Sequence, residues 1–302
     1  QIVMAFLMIT MISVMLPRAG VAAERIQEVL DTDPTIHDAP SVKDDRLSAV
    51  KGELSFEDVS FRYDGAKEDA LENISFTARP GETTAIIGST GCGKSTLIHL
   101  VPRFYDVTKG KITIDGVDIR EMSQHKLRSI LGFVPQKANL FSGDIASNIK
   151  YGGSYITDEM MKQAADIAQA VEFIESKAEG YESPIAQGGS NVSGGQKQRL
   201  SIARAIAKDP KIFLFDDSFS ALDYKTDMVL RKALHEKIED ATVIIVAQRI
   251  STILHANQII VLDEGRIAGI GTHEELLTSC EAYQEIARSQ LSESELKGGS
   301  AS

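Results

Sequence analysis

Apolar and polar residues alternate from Leu54 to Phe61, the pattern of a strand with one buried face, and Ile74 to Ala78 repeats it. Thr83 to Ile87 is a short apolar strand, with a helix expected over Ser95 to Val101 after a glycine-rich turn. Lys111 to Ile114 and Leu131 to Val134 are further strands. The period then changes to that of helices over Thr157 to Ala170 and Val171 to Ser176. Thr157 is placed to cap the first, and Asp158 and Glu159 lie in its first turn. Ser193 is placed to cap a helix from Gly194 to Lys208 that Asp209-Pro210 stops. Ile212 to Phe215 is a continuous apolar run, the signature of a strand buried on both faces, and Thr242 to Val246 reads as another buried strand, with a helix from Val229 to Glu239 between them. Ile259 to Leu262 closes the set. Strands alternating with helices predict an α/β domain with a parallel core sheet, and the alternating strands near its start predict an antiparallel β subdomain beside it.

The first sixteen residues are almost wholly apolar, short of the about 20 that span a bilayer. Three readings fit them. One is a signal peptide, with Ala19 to Ala23 as the cleavage region; it lacks a basic leader. Another is a buried core helix. The third, favoured by the motifs below, is the C-terminal part of a transmembrane helix over residues 1–17. Pro17 punctuates the run, and Ala22 to Leu30 reads as an amphipathic helix continuing toward water. Asp31 to Asp45 contains Pro34, Pro40 and little that is apolar, so residues 18–50 are an amphipathic helix and linker. A folded domain follows over 51–291. Residues 292–302, rich in Gly and Ser, read as a flexible tail.

The chain has 302 residues, of which 43% are hydrophobic, enough for one sizeable domain with appendages. A net charge of −11 argues against a nucleic-acid partner. Cys92 and Cys280 form no disulfide framework and suit a reducing compartment.

Chemistry is concentrated in Gly88-Ser89-Thr90-Gly91-Cys92-Gly93-Lys94-Ser95-Thr96, a complete G-x-x-x-x-G-K-[ST] phosphate loop between a strand and a helix. Its backbone N–H groups and the following helix favour phosphate. Lys94 reaches the outer phosphates, and the Ser95 hydroxyl suits Mg²⁺. Such a site also needs a carboxylate at the end of a neighbouring buried strand, and Asp216 follows four apolar residues. Cys92 in the loop reads as a spare thiol.

A second glycine run, Val192-Ser193-Gly194-Gly195-Gln196, resembles the signature of ATP-binding cassette (ABC) proteins. The resemblance covers about residues 51–290 and is to the nucleotide-binding domain of exporter-type ABC transporters. It implies a P-loop NTPase core with an antiparallel β subdomain and a helical subdomain that carries the signature. It also implies Mg-ATP as ligand. Tyr63 matches the aromatic that stacks on adenine, and Gln136 the loop residue that touches Mg²⁺ and senses the transmembrane domain. Ser193, Gly194, Gly195 and Gln196 match the motif that grips the ATP of a partner subunit in a head-to-tail dimer. Ser220 to Asp223 match the loop crossing that interface. The implied location is the cytoplasmic membrane, reached through the N-terminal helix, with the nucleotide-binding domain in the cytoplasm.

Two positions depart from the pattern. Asp217 stands where the family has a Glu that polarises the attacking water, and Gln248 where it has a His contacting the γ-phosphate. Asp is one methylene shorter, and Gln carries no charge and takes no proton. The expectation is a hydrolytically degenerate site on this chain. Its intact signature would complete a competent site on a different partner chain, as in heterodimeric exporters. Gln187, in Pro184 to Gly189, replaces an acid that exporters carry in a stretch expected to meet the coupling helices. The alternatives are a homodimeric exporter with slow hydrolysis, a non-transport ABC ATPase, and an ATP-dependent dimerisation module. Multidrug, lipid and peptide cargoes all fit, the heterodimer analogy favouring the first.

Overall fold

The structure is a computed structural model that describes residues 1–47, 49–237 and 240–290. It divides into two units, residues 1–37 and 38 onward.

The first unit is dominated by one helix, α1 (Ile2–Leu30). Pro17 lies inside it, so the apolar run and the amphipathic stretch are a single helix rather than two segments meeting at the proline. Proline removes its own N–H from the ladder and crowds the carbonyl four residues earlier, yet the helix continues through it, and no charge interrupts the chain before Arg18. None of its residues is buried within the described structure. The helix is long and apolar enough to cross a membrane, with a mean hydropathy of 2.0 over its most apolar window.

The second unit is built on a six-stranded sheet ordered β12-β11-β3-β10-β9-β6. It comprises β3 (Thr83–Gly88), β6 (Leu131–Val134), β9 (Ile212–Asp216), β10 (Thr242–Val246), β11 (Gln258–Asp263) and β12 (Arg266–Gly271). The first five run parallel and β12 is an antiparallel edge. Ile259 to Leu262 therefore does not close the set. A two-residue turn, Glu264 (φ 43°) and Gly265 (φ 77°), leads into β12, as both residues of a type I′ turn require. The strand is followed by α9 (His273–Ser279) and α10 (Glu281–Gln290).

The pleat sends alternate residues to opposite faces. Ala85, Ile87, Phe213, Phe215, Ile245 and Val261 enter one core, with Leu200 and Ile202 of α7 (Gly194–Ala207) and Tyr283 of α10. Ile86, Leu214, Ile244, Val246 and Ile260 enter the other. There they meet Leu97 and Ile98 of α2 (Lys94–Leu100) and the apolar face of an antiparallel sheet. That sheet is ordered β2-β1-β4-β5, from β1 (Leu54–Phe61), β2 (Leu71–Ala78), β4 (Lys109–Ile114) and β5 (Val117–Asp118), and is the β subdomain expected from the alternating runs.

Between β6 and β9 the helical subdomain comprises α4 (Ile145–Ile149), α5 (Asp158–Ile167), α6 (Val171–Glu175) and α7, with β7 (Gly143–Asp144) paired to β8 (Pro184–Ile185). Thr157 caps α5 by accepting from the Met160 amide, as expected, but α5 ends at Ile167 because Gln169 turns left-handed at φ 53°. α8 spans Tyr224–Lys237, starting earlier than Val229; Glu239 and the tail from 291 lie outside the described residues.

The expected linker is in part docked. Before β6, α3 (Gln124–Ser129) presents its N-terminus to two linker acids. Asp44 accepts from the Ser123 amide at 3.0 Å and its hydroxyl at 2.7 Å, and Asp38 accepts from the Gln124 amide at 2.9 Å. The Ser123 amide, followed by its hydroxyl, holds the Asp44 carboxyl below the usual carboxylate range. The docked arrangement is therefore complete at neutral pH and is lost only as pH falls through that lowered value. Asp44→Ala is expected to speed hydrogen exchange at the Ser123 amide at pH 7, while the wild-type rate shows no loss of protection between pH 7 and 6. Equal protection in the variant would refute the dock.

Candidate functional site

All parallel strands of the core sheet end on one edge, and the loops leaving that edge carry the chemistry, as in open α/β sheets generally. β3 feeds the phosphate loop, β6 leads to Gln136, β9 ends in Asp216-Asp217, and β10 is followed by Gln248.

The phosphate loop, Gly88 to Thr96, turns through Gly91 (φ 87°) and Gly93 (φ 101°), both left-handed, and Gly93 is the N-cap of α2. Lys94 folds back over the loop, its Nζ donating to the carbonyls of Gly88 at 2.8 Å and Ser89 at 2.7 Å. Cys92 is buried, with its Sγ 3.8 Å from that ammonium. The ring of Tyr63, 37% exposed just beyond β1, is met edge-on by Phe61 and Tyr105. Its hydroxyl lies 2.9 Å from Thr96 Oγ1, which brings the aromatic to the first turn of α2.

Ser95 and Asp216 meet directly, the hydroxyl donating to Oδ1 at 2.9 Å. Asp216 is 3% exposed. His99, one turn along α2 from Ser95, places Nε2 3.4 Å from the other oxygen of Asp216. A hydroxyl, a carboxylate and the Gln136 amide oxygen are hard donors of the type Mg²⁺ takes. Among the described residues no cluster of three or more His, Cys, Asp or Glu forms a protein cage.

Asp217 is the centre of the second half of the site. It is 7% exposed and left-handed at φ 45°, a conformation Asp tolerates better than most residues. Its N–H donates to the Val246 carbonyl at 3.0 Å, and its carbonyl accepts from the Ser220 hydroxyl at 2.8 Å. Two amides converge on one carboxylate oxygen: Gln136 Nε2 donates to Oδ2 at 2.9 Å and Gln248 Nε2 at 2.6 Å. The residues singled out as catalytic thus form one hydrogen-bonded triad.

The signature lies at the N-terminus of α7. Ser193 Oγ accepts from the Gln196 amide at 3.3 Å while Gln196 Oε1 accepts from the Ser193 amide at 3.1 Å, a capping box. The Gln196 side chain is therefore engaged within its own helix cap. Ser193 and Gly194 are exposed, and nothing lies within 4 Å of where a Cβ on Gly194 would stand. This end of the helix, with its dipole, faces outward.

Sequence reasoning missed three supporting residues. His99 shares a helix face with Ser95, a spacing visible in the chain. Buried Gln198 of α7 donates to the Pro135 carbonyl at 3.2 Å and so ties the signature helix to the Gln136 loop. Gln290 holds the Gln248 loop from α10. The last two act on backbone carbonyls and amides far away in sequence, which leaves no pattern in the chain.

A phosphate loop between strand and helix, joined to a strand-end aspartate, defines a P-loop NTPase. Residues 71–220 match the ABC transporter family. An uncharacterised ABC transporter ATP-binding protein of Mycobacterium tuberculosis is 48% identical over 295 residues, covering 96% of this chain and 50% of that protein. A β-(1→2)glucan export ATP-binding/permease protein of Rhodopseudomonas palustris is 43% identical, covering 89% of this chain and 44% of that protein. The structure of a bacterial Atm1-family ABC exporter with ATP bound superposes with a TM-score of 0.84 at 35% identity, over 92% of this chain and 48% of that one. The chain belongs to the ABC transporter family and carries its ATPase domain, of the exporter type. It spans about half the length of the curated relatives it matches.

Proposed function

We propose that this chain is the ATP-binding part of a membrane exporter, working in a head-to-tail dimer in the cytoplasmic membrane with its ATPase domain in the cytoplasm. The N-terminal helix α1 is read as the end of its transmembrane domain. Its own phosphate-loop site holds ATP more than it hydrolyses it, and its signature completes the active site of a different ABC chain. The observation that carries this reading is the Asp217 carboxylate, whose Oδ2 is shared by the Gln136 and Gln248 amides.

ATP would lie along the carboxyl edge of the sheet. Tyr63 offers a ring face to the adenine. The loop amides and Lys94 take the phosphates, Lys94 exchanging the Gly88 and Ser89 carbonyls for phosphate oxygens. Ser95, Asp216 and the Gln136 amide oxygen would hold Mg²⁺. That ion neutralises charge on the outer phosphates. At the hydrolytic end the chain supplies a short carboxylate and a neutral amide. Asp217 must draw a proton toward itself within about 2.6–3.2 Å to act as a base, and a side chain one bond of about 1.5 Å shorter than Glu falls back from that position. Gln248 donates a hydrogen bond but neither accepts a proton nor adds charge. Such a site binds and positions well and cleaves slowly. The signature of the same chain, with its free helix end, retains what gripping a second phosphate requires.

The test is ATP turnover of this chain with and without the second ABC chain of its complex. The expected result is a gain of roughly tenfold or more on mixing, abolished when Ser193 and Gly194 of this chain are replaced by Ala and Asp. Full turnover by this chain alone, unaltered by the second chain, would overturn the heterodimer and support a homodimeric exporter.

A further inference from the structure

The segment after β10 that carries Gln248 is fastened from two sides by side chains outside the nucleotide site. From α8, Arg231 Nη1 donates to the carbonyls of Ser251 at 3.1 Å and Thr252 at 3.0 Å, while Asp227 accepts its Nε and Nη2 at 3.0 Å each. From α10, the Gln290 side chain bonds twice. Its Nε2 donates to the Gln248 carbonyl at 2.8 Å, and its Oε1 accepts from the Ile250 amide at 2.9 Å.

The two clamps differ in what they fix. Arg231 anchors the far end of the segment. Gln290 spans Gln248 itself, using both ends of one amide to set the peptide on either side of Arg249. An amide is suited to this because it is donor and acceptor at fixed separation. The base of the clamp is rigid. Tyr283 and Ala287 of α10 are fully buried in the core, and the Tyr283 hydroxyl lies 2.7 Å from His273 Nδ1 of α9. Burial pushes the His273 imidazole below its usual range, which favours the neutral ring at this contact. Rotation of Gln248 χ angles is then referenced to a fixed backbone, and its amide reaches Asp217 at 2.6 Å.

We propose that Gln290 is a positioning residue for Gln248: the C-terminal helix sets the backbone from which Gln248 addresses the outer phosphate of ATP. The grip of this site on ATP as against ADP is thereby tied to α10, an element that carries none of the nucleotide-site motifs. The proposal rests on the reading of Gln248 as the residue facing the γ-phosphate.

The experiment is a titration of the chain with Mg-ATP and Mg-ADP, read as the ratio of the two affinities. A hydrogen bond to a charged group is strong enough that Gln248→Ala is expected to lower the preference for ATP roughly tenfold. Gln290→Ala is expected to lower it about threefold, leaving ADP affinity unchanged, because a misplaced donor loses part of such a bond. The double variant is expected to match Gln248→Ala alone, since Gln290 acts through Gln248. Gln290→Glu, which keeps the acceptor for the Ile250 amide and loses the donor to Gln248, is expected to fall between wild type and Gln290→Ala. Gln290 is exposed at a helix end, so these substitutions leave the core untouched. An unchanged ratio in Gln290→Ala, or a loss that adds in full to that of Gln248→Ala, overturns the proposal. An unchanged ratio in Gln248→Ala overturns the γ-phosphate reading, and this inference with it.

Discussion

Replacing Asp217 with Glu and Gln248 with His together is expected to raise ATP turnover of this chain by an order of magnitude or more. General-base catalysis contributes roughly 10²–10⁴-fold, and the present site keeps every other part: the phosphate loop, Ser95 on Asp216, and Gln136 within reach of the neighbouring carboxylate. Under the function proposed above, Asp217→Glu extends the carboxylate toward the water on the far side of the γ-phosphate. Under the same proposal, Gln248→His supplies a group that donates to phosphate and alternates between neutral and charged forms. The two substitutions should not act independently. The present residues share a hydrogen bond of 2.6 Å, so each single change leaves a mismatched partner. Asp217→Glu alone would keep a Gln amide on the lengthened carboxylate, and Gln248→His alone would leave the imidazole facing a carboxylate set too far back. The single variants are therefore expected to gain less than their pair implies. Steady-state turnover at saturating Mg-ATP, with affinity measured separately, distinguishes a gain in chemistry from a gain in binding. Turnover that is already robust in the natural chain, and unmoved by the pair, would sink the degenerate-site reading.

Much of this fold was legible because its strongest signals are local. Leu54 to Phe61 alternates, and forms β1 over those same residues; Thr242 to Val246 is apolar after its first residue, and forms β10, buried between β3 and β9. Ser193 and Thr157 announced their helices because an N-cap is a property of a few adjacent residues. What escaped was decided by distant partners. α3 has only Leu127 buried, and its start is fixed as much by Asp38 and Asp44, some eighty residues earlier, as by Ser123. β12 contains Gly269 and Gly271 and alternates weakly, since it is an edge strand with one neighbour in its sheet; only the turn at Glu264-Gly265 marks it locally. The site divides in the same way. Its motifs were readable one by one. That one oxygen of Asp217 is shared by Gln136 and Gln248, and that Gln290 steadies the latter, follows only once four loops lie on one sheet edge.

Gly88→Ala is expected to be the most destabilising single substitution in the phosphate loop, at about 3 kcal/mol or more. The sequence presents Gly88 and Gly91 as equivalent loop glycines, but they are glycine for different reasons. At Gly91 the backbone is left-handed at φ 87° and a Cβ would meet nothing within 4 Å. Alanine there carries only conformational strain, on the order of 1 kcal/mol. Gly88 is the last residue of β3, paired in register with Leu262 of β11. A Cβ there would stand 2.1 Å from the Leu262 carbonyl oxygen and 2.6 Å from Cys92 Sγ. The first obstacle is backbone in a paired central strand and has no rotamer to escape into. To make room, β3 and β11 must part where Ile86, Ile87, Ile260 and Val261 are packed on both faces of the sheet at 1% exposure or less. Interiors at crystal-like density do not yield that space cheaply. Because the loop begins at this residue, the displacement reaches Lys94 through the Gly88 carbonyl it bonds, so ATP affinity falls with stability. A domain of this size loses roughly 2–4 °C in melting temperature per kcal/mol, so Gly88→Ala should melt about 6–12 °C below wild type and Gly91→Ala within about 4 °C. Melting curves without nucleotide read the packing term alone. Equal melting temperatures for the two variants would show that the close approach of β3 to Leu262 is not what requires glycine at position 88.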